Sequence, residues 1–215
     1  MQAFLSITVL IFLAAISPGP DFAMVTKNSL LYSRKHGIYS ALGIAMSLLL
    51  HTIYCVLGLA VIISQSLLAF TIIKYLGAAY LTYIGIKSLL AKREQLTVDI
   101  QQTQKKITHA QSFYQGLLGN LLNPKAIMFL LAFFTLVVTP GTSIWVEMAY
   151  GIEIAAIHML WFATLAFLLT HHYVKVHLNK IQVYIVKIMG VVLVAFGIRI
   201  ASLHQVALLP ATVME

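Results

Sequence analysis

Charge is what this sequence has least of. Across 215 residues only 9% are charged, and the acids number six. A soluble domain gives roughly a quarter of its residues to Asp, Glu, Lys and Arg, so most of this chain's surface faces something other than water. Cysteine occurs once, as Cys55 within an apolar run. That excludes an internal disulfide and a CxxC redox pair, and leaves packing as its role. No HExxH and no GxSxG-like nucleophile is present, which removes zinc-protease and serine-hydrolase chemistry. The chain is therefore not read as an enzyme, and nothing in it calls for a cofactor.

What is present is hydrocarbon. Hydrophobic residues make up 60% of the chain, and its mean hydropathy is +0.93. Six apolar stretches, near 4–26, 38–63, 67–90, 113–138, 144–169 and 183–203, approach the roughly 20 residues a helix needs to cross a bilayer. The first 16 residues have an apolar segment but no Lys or Arg before it, so they read as the first half of an uncleaved span, not a signal peptide. The fold class expected is an all-α polytopic membrane protein of six transmembrane helices. A polar linker, 91–112, divides it into 1–90 and 113–215, with three spans in each.

The net charge of +8 and pI of about 9.6 would suit nucleic acid if the basic residues formed a surface. They are confined instead to short connections. Lys27, Arg34 and Lys35 follow span one, and Lys87, Lys92, Arg93, Lys105 and Lys106 surround the linker. The fifth connection and its flank hold Lys175, Lys180 and Lys187, while the segments at 64–66 and 139–143 hold none. This asymmetry puts the first, third and fifth connections in the cytoplasm and, with six spans, both termini outside. The partners expected are the lipid bilayer and a small solute, with no nucleic acid and a homo-oligomer left open.

The two halves resemble each other. "GPDFAM" (19–24) aligns with "NPKAIM" (123–128), and "KYLGAAYLTYIGIK" (74–87) aligns with "KIMGVVLVAFGIR" (187–199), allowing one gap. His51 and His158 fall at a similar offset. Three matches in one order argue for duplication, and a three-span unit repeated must insert with opposite topology.

Each repeat carries proline where a span should be continuous. Proline removes a donor and clashes with the carbonyl four residues back, so Pro18 and Pro20 free the carbonyls of Ala14 and Ile16, and Pro124 frees that of Asn120. Freed groups at membrane depth must face protein or a watery cavity. Ser17–Pro18 and Asn123–Pro124 both read as an N-cap followed by proline at the first helical position. Spans one and four are thus expected to stop and restart. New helix N-termini would favour a carboxylate, and freed carbonyls with Asp21 would favour an ammonium, so the pair suits a zwitterion.

These residues carry a resemblance. "SPGPDF", "GIYSALGIAMSLLLHTIYCVLGLA", "YLGAAYLTYIGIKSL", "FYQGLLGNLLNPKA" and "GVVLVAFGIRI" resemble the LysE/RhtB family of amino-acid exporters over nearly the whole chain. The resemblance implies a bacterial inner-membrane secondary transporter that exports amino acids using the proton gradient. The "SPGPD" form looks more like the branch handling threonine, homoserine and other neutral amino acids. Export of basic amino acids, or of a small cation or metal, is the alternative on the same fold. A metal exporter, however, would favour cysteine or clustered acids within its spans. The functional motif residues carried over are Pro18, Gly19, Pro20, Asp21, Asn123, Pro124 and Lys125. Ser17 and Asn120 join them from the reading of the breaks.

Asp21 is the strongest single candidate, because a charged carboxylate at mid-bilayer costs at least ~2.5–3.5 kcal/mol and must be protonated, paired or functional. It is expected to pair with Lys125 in the empty carrier. Asp21, His51, Glu153 and His158 are candidates for a proton pathway, against the plainer reading of the two histidines as hydrogen-bonded core residues. "HHYVKVH" (171–177) sits beside Lys175 at the cytoplasmic face and reads as a solvated turn, so no metal site is expected. Gly77, Gly85, Gly116, Gly119, Gly190 and Gly197, with Gly43 and Gly58, are expected to permit close helix contact.

Overall fold

The computed structural model describes residues 2–17, 19–90, 106–138 and 142–169, together with 184, 187–188, 190–198 and 201–202. Every regular element among them is helical. In chain order these are α1 (Gln2–Ile16), α2 (Pro20–Leu31), α3 (Arg34–Gln65), α4 (Leu67–Leu89), α5 (His109–Leu121), α6 (Pro124–Val137) and α7 (Ile144–Leu168). A further helical stretch, α8, covers 190–198.

The prolines decide the connectivity of the first and fourth expected spans. Proline at the first position of a helix lacks a donor that is unused there anyway, and its φ already suits the helix. Accordingly α2 begins at Pro20 and α6 at Pro124. The axes of α1 and α2 differ by 54°, and those of α5 and α6 by 58°. Two segments, Arg34–Gly58 of α3 and Ile144–Leu168 of α7, are each long and apolar enough to cross a membrane, and there are four if each bent pair counts as one span. The chain is thus an all-helical multi-pass membrane protein. The linker at 91–105, Pro18 and the "HHYVKVH" segment lie outside the described residues.

Large side chains on the outer helix faces confirm the solvent these helices expect. Tyr54 and Leu57 on α3, and Ile152, Leu160 and Phe167 on α7, are exposed. So many exposed apolar residues would be an aggregation hazard in water and are ordinary against lipid. Inside, Phe133, Phe134, Phe162, Leu10, Ile44 and Ile154 are fully buried.

Because lipid tails are as apolar as leucine, the helices need close backbone approach and hydrogen bonds to associate. Both are concentrated between α3 and α5. A Cβ added to Gly43 would collide with the Phe113 carbonyl, and one added to Gly116 with the Ser40 carbonyl. Beside this seam, Asn28 Nδ2 on α2 donates to Ser40 Oγ at 2.8 Å and to Gln115 Oε1 at 2.9 Å. Ser40 Oγ is also 3.2 Å from the Ser112 carbonyl oxygen. The start of α5 is fixed by a capping box, with Thr108 Oγ1 accepting from Gln111 N–H and Gln111 Oε1 accepting from Thr108 N–H. Elsewhere Gly85 abuts the Gly190 carbonyl, Gly190 the Gly85 carbonyl and Gly197 the Ala78 carbonyl, so the two related glycine segments pack on each other. Gly58 departs from expectation: among the described residues nothing lies within 4 Å of a Cβ built there.

This contrast is directly testable. Gly43→Ala should destabilise the purified protein by about 1–3 kcal/mol, the usual cost of overpacking, whereas Gly58→Ala should be neutral or slightly stabilising through helix propensity. Thermal unfolding of both variants in detergent measures the difference.

Candidate functional site

The first break is built around an extended residue. The Ser17 N–H closes α1 onto the Ala14 carbonyl at 3.3 Å. Gly19 then adopts φ 178° and ψ −169° and serves as N-cap of α2, without a side-chain cap. The expectation that Ser17 caps the restarted helix is therefore corrected. With a proline at both 18 and 20, the helix takes Pro20 as its first residue, which moves the cap to Gly19 and frees the Ser17 hydroxyl. That hydroxyl accepts a 2.6 Å hydrogen bond from Lys125 Nζ on α6. A Cβ at Gly19 would stand 3.2 Å from the same Nζ, so the small residue leaves room for the ammonium. Asp21, in the first turn of α2, lies where the helix dipole favours negative charge.

The second break is capped as its spacing predicts. Asn123 is extended, and its Oδ1 accepts from the Lys125 N–H at 3.0 Å. The carbonyl of Asn120, freed by Pro124, accepts the Asn123 N–H at 2.9 Å. His51 Nε2 approaches the same oxygen at 3.4 Å. His51 thus answers to the proline: it is placed on a carbonyl that an unbroken helix would have occupied.

The two breaks meet through their side chains. Asn120 Nδ2 donates to Asp21 Oδ2 at 2.9 Å, and Asn123 Nδ2 reaches the same oxygen at 3.4 Å. Flipping either amide would turn an oxygen toward the carboxylate, so this network sets both orientations. Asp21 draws its hydrogen bonds from the two amides, not from Lys125, although the two charges are close enough to interact. Among the described residues, Asp21 Oδ1 and Asn120 Oδ1 are buried without a hydrogen-bond partner. A buried acceptor left in this way costs about 1–3 kcal/mol, and native structures hold few of them.

Both oxygens belong to residues lining a cavity of about 50 Å³. It holds on the order of four waters, the scale of an amino acid's backbone groups. Ser17, Gly19, Pro20, Asp21, Asn120, Asn123, Lys125 and His158 all contribute to its lining. Three other candidates stand outside it. Pro124 starts α6 beside the lining, and His51 sits behind it on the Asn120 carbonyl. Glu153 is turned to the α1 interface, where Thr8 Oγ1 donates to its Oε1 at 2.6 Å.

Two features escaped the sequence reading. Leu48, Tyr80, Leu81, Phe129, Phe162 and Leu193 form most of the remaining wall. Helical spacing could have found two of these, since Phe129 follows Lys125 and Phe162 follows His158 by four residues. The other is Glu147 in the first turn of α7, which is buried and shares a helix face with His158 three turns on.

Two helix breaks that meet beside a cavity lined by charged and polar residues in a multi-pass bundle suit a membrane translocator, and comparison with known proteins makes that more specific. Residues 12–203 match the family model described as LysE type translocator, and the chain belongs to that family; it is a transporter, not an enzyme. It is 34% identical over 206 residues to the uncharacterized membrane protein YrhP of Bacillus subtilis (strain 168), covering 93% of this chain and 98% of the relative. It is 29% identical over 203 residues to the threonine efflux protein of Escherichia coli (strain K12), with the same coverage of 93% and 98%. With the leucine efflux protein of Salmonella choleraesuis (strain SC-B67) it shares 30% identity over 194 residues, 87% of this chain and 89% of the relative. No solved structure is a significant match.

Asn123 has two duties that substitution separates. Asn123→Ala removes the cap and a hydrogen bond to Asp21, and should lower stability by about 1 kcal/mol. Asn123→Ser restores the cap alone. Its melting temperature should return toward that of the parent while transport stays impaired, a split read by pairing thermal unfolding with efflux rates.

Proposed function

We propose that this protein exports neutral amino acids from the bacterial cytoplasm across the inner membrane, in exchange for protons. The observation that carries the proposal is a pair of buried acceptors without a hydrogen-bond partner among the described residues, Asp21 Oδ1 and Asn120 Oδ1, on residues that line the same cavity as Lys125. An amino acid's ammonium supplies the donors those oxygens lack. Its carboxylate meets Lys125 and the uncapped N-terminus of α2, where partial positive charge is already present. The apolar wall receives the side chain. A lysine or arginine side chain would bring a second positive charge against Phe129, Phe162 and Leu193, at a desolvation cost of several kcal/mol, so the wall favours uncharged substrates. Relatives named for threonine and leucine efflux agree with this range.

The same two oxygens suggest how exchange is enforced. A proton on Asp21 Oδ1 turns that atom from an acceptor into a donor. Proton and substrate ammonium then compete for one place, so the carrier returns with one or the other. His51 supports the break from behind, and His158 faces the cavity. Glu153 is given no step, because it is turned away toward Thr8. The surrounding architecture is read as two inverted repeats of three spans, 1–90 and 113–215. Support comes from the two equivalent breaks and from the related glycine segments of α4 and α8, which pack together. The linker is read as cytoplasmic and both termini as outside, with the distribution of basic residues in support.

Reconstituted vesicles loaded with a panel of amino acids, with and without an imposed proton gradient, test the reading. Neutral amino acids should leave fastest and the gradient should accelerate them. Asp21→Asn should cut gradient-driven efflux by about 30-fold or more, the consequence of losing roughly 2 kcal/mol from a buried charge contact. Efflux by Asp21→Asn at the parent rate with an unchanged pH dependence would remove Asp21 from the proton's path.

A further inference from the structure

His158 has a tautomer imposed by the helix on which it stands. Its Nδ1 lies 2.8 Å from the Ile154 carbonyl oxygen one turn earlier. A carbonyl only accepts, so Nδ1 carries the hydrogen, and in the neutral ring Nε2 holds a lone pair. The ring is 8% exposed, lines the cavity and tilts against Phe162 with centroids 6.2 Å apart. One nitrogen is thus spent on the backbone, and the other is the acceptor of a ring that lines the cavity.

The binding of a zwitterion's two charged ends does not use this acceptor. Those ends are served by Asp21, Asn120 and Lys125, on α2, α5 and α6, whereas His158 stands on α7, a turn from Phe162 in the wall assigned to the side chain. We propose that Nε2 of His158 is a specificity-determining acceptor for a donor on the substrate's side chain, selecting amino acids with a short side-chain hydroxyl over aliphatic ones of the same shape. This rests on the amino-acid reading of the cavity and assigns the third point of contact. The physical basis is asymmetric. A hydroxyl pairs with Nε2, while a methyl in its place leaves the imidazole nitrogen buried and unpaired, and a site built around such an acceptor penalises the analogue that cannot satisfy it.

Threonine and valine are nearly isosteric and differ at that one group, so they isolate the contact. The full chain, reconstituted in vesicles, is assayed by counterflow of labelled L-threonine and L-valine. The parent protein should favour threonine by about ten-fold in kcat/KM, the worth of one neutral hydrogen bond. His158→Phe, which keeps a flat ring but no acceptor, should bring the ratio close to one, with threonine transport falling further than valine transport. His158→Gln offers an amide oxygen and should recover part of the preference. An equal fall for both substrates in His158→Phe, with the ratio preserved, overturns the proposal and leaves His158 a proton carrier or packing residue. So does an absence of preference in the parent. Failure of the parent to move either amino acid, by contrast, would refute the amino-acid reading itself.

Discussion

Everything at the centre of this molecule hangs on Asn120. Its side-chain amide holds Asp21 of the first break at 2.9 Å. Its backbone carbonyl, released by Pro124, is taken by the Asn123 N–H and approached by His51. One residue thus ties the carboxylate of one broken helix to the geometry of the other. The tie exists only because a proline emptied that carbonyl, and in lipid an emptied carbonyl has to find another donor. Proline, amide and histidine form one unit, although they are spread across α3, α5 and the start of α6.

How far this was legible in the sequence follows from the range of each interaction. Proline acts on its own four residues, so both breaks could be placed from "SPGPD" and "LLNPKA" alone, and so could the Asn123 cap. Ser17 could not, because two prolines two residues apart offer two possible helix starts, and the choice of Pro20 depends on where α6 puts Lys125. The facing of whole helices was harder still. In a bundle surrounded by lipid both the inner and outer faces are apolar, so periodicity marks neither. That is why Glu153 was named and Glu147 was not, though only the latter is buried, and why Gly58 was grouped with glycines that do touch a neighbour. Much of the apolar wall was hidden for the same reason, since Leu48, Leu81 and Leu193 have no property in the sequence that separates them from Leu57 and Leu160, which face outward.

Rigid and adjustable contacts are segregated. Glycine contacts fix α3 to α5 and α4 to α8, backbone against backbone. Such seams tolerate little sliding, because packed interfaces hold discrete arrangements, not a continuum. The contacts between the breaks are of another kind: Lys125 to Ser17, and two amides to one carboxylate oxygen, all at the ends of side chains. These can exchange partners without disturbing a helix seam, so a change in the cavity's occupant is registered first there.

A solute can shift a carrier between states only through contacts that differ between them. On the proposed reading, the residues lining the cavity offer acceptors from Asp21 and Asn120 and the ammonium of Lys125, a set complementary to a zwitterion. Binding would then favour an arrangement closed around the solute over any open one in which water already solvates those groups. The empty protein needs a different means of closing, and the least costly is to change the acceptor itself. A proton on Asp21 does so without adding volume, and it removes the charge that made closure around an empty site unfavourable. On the proposed reading, obligatory exchange requires no separate gate: it follows from placing two acceptors, and no donor for them, at the junction of two broken helices.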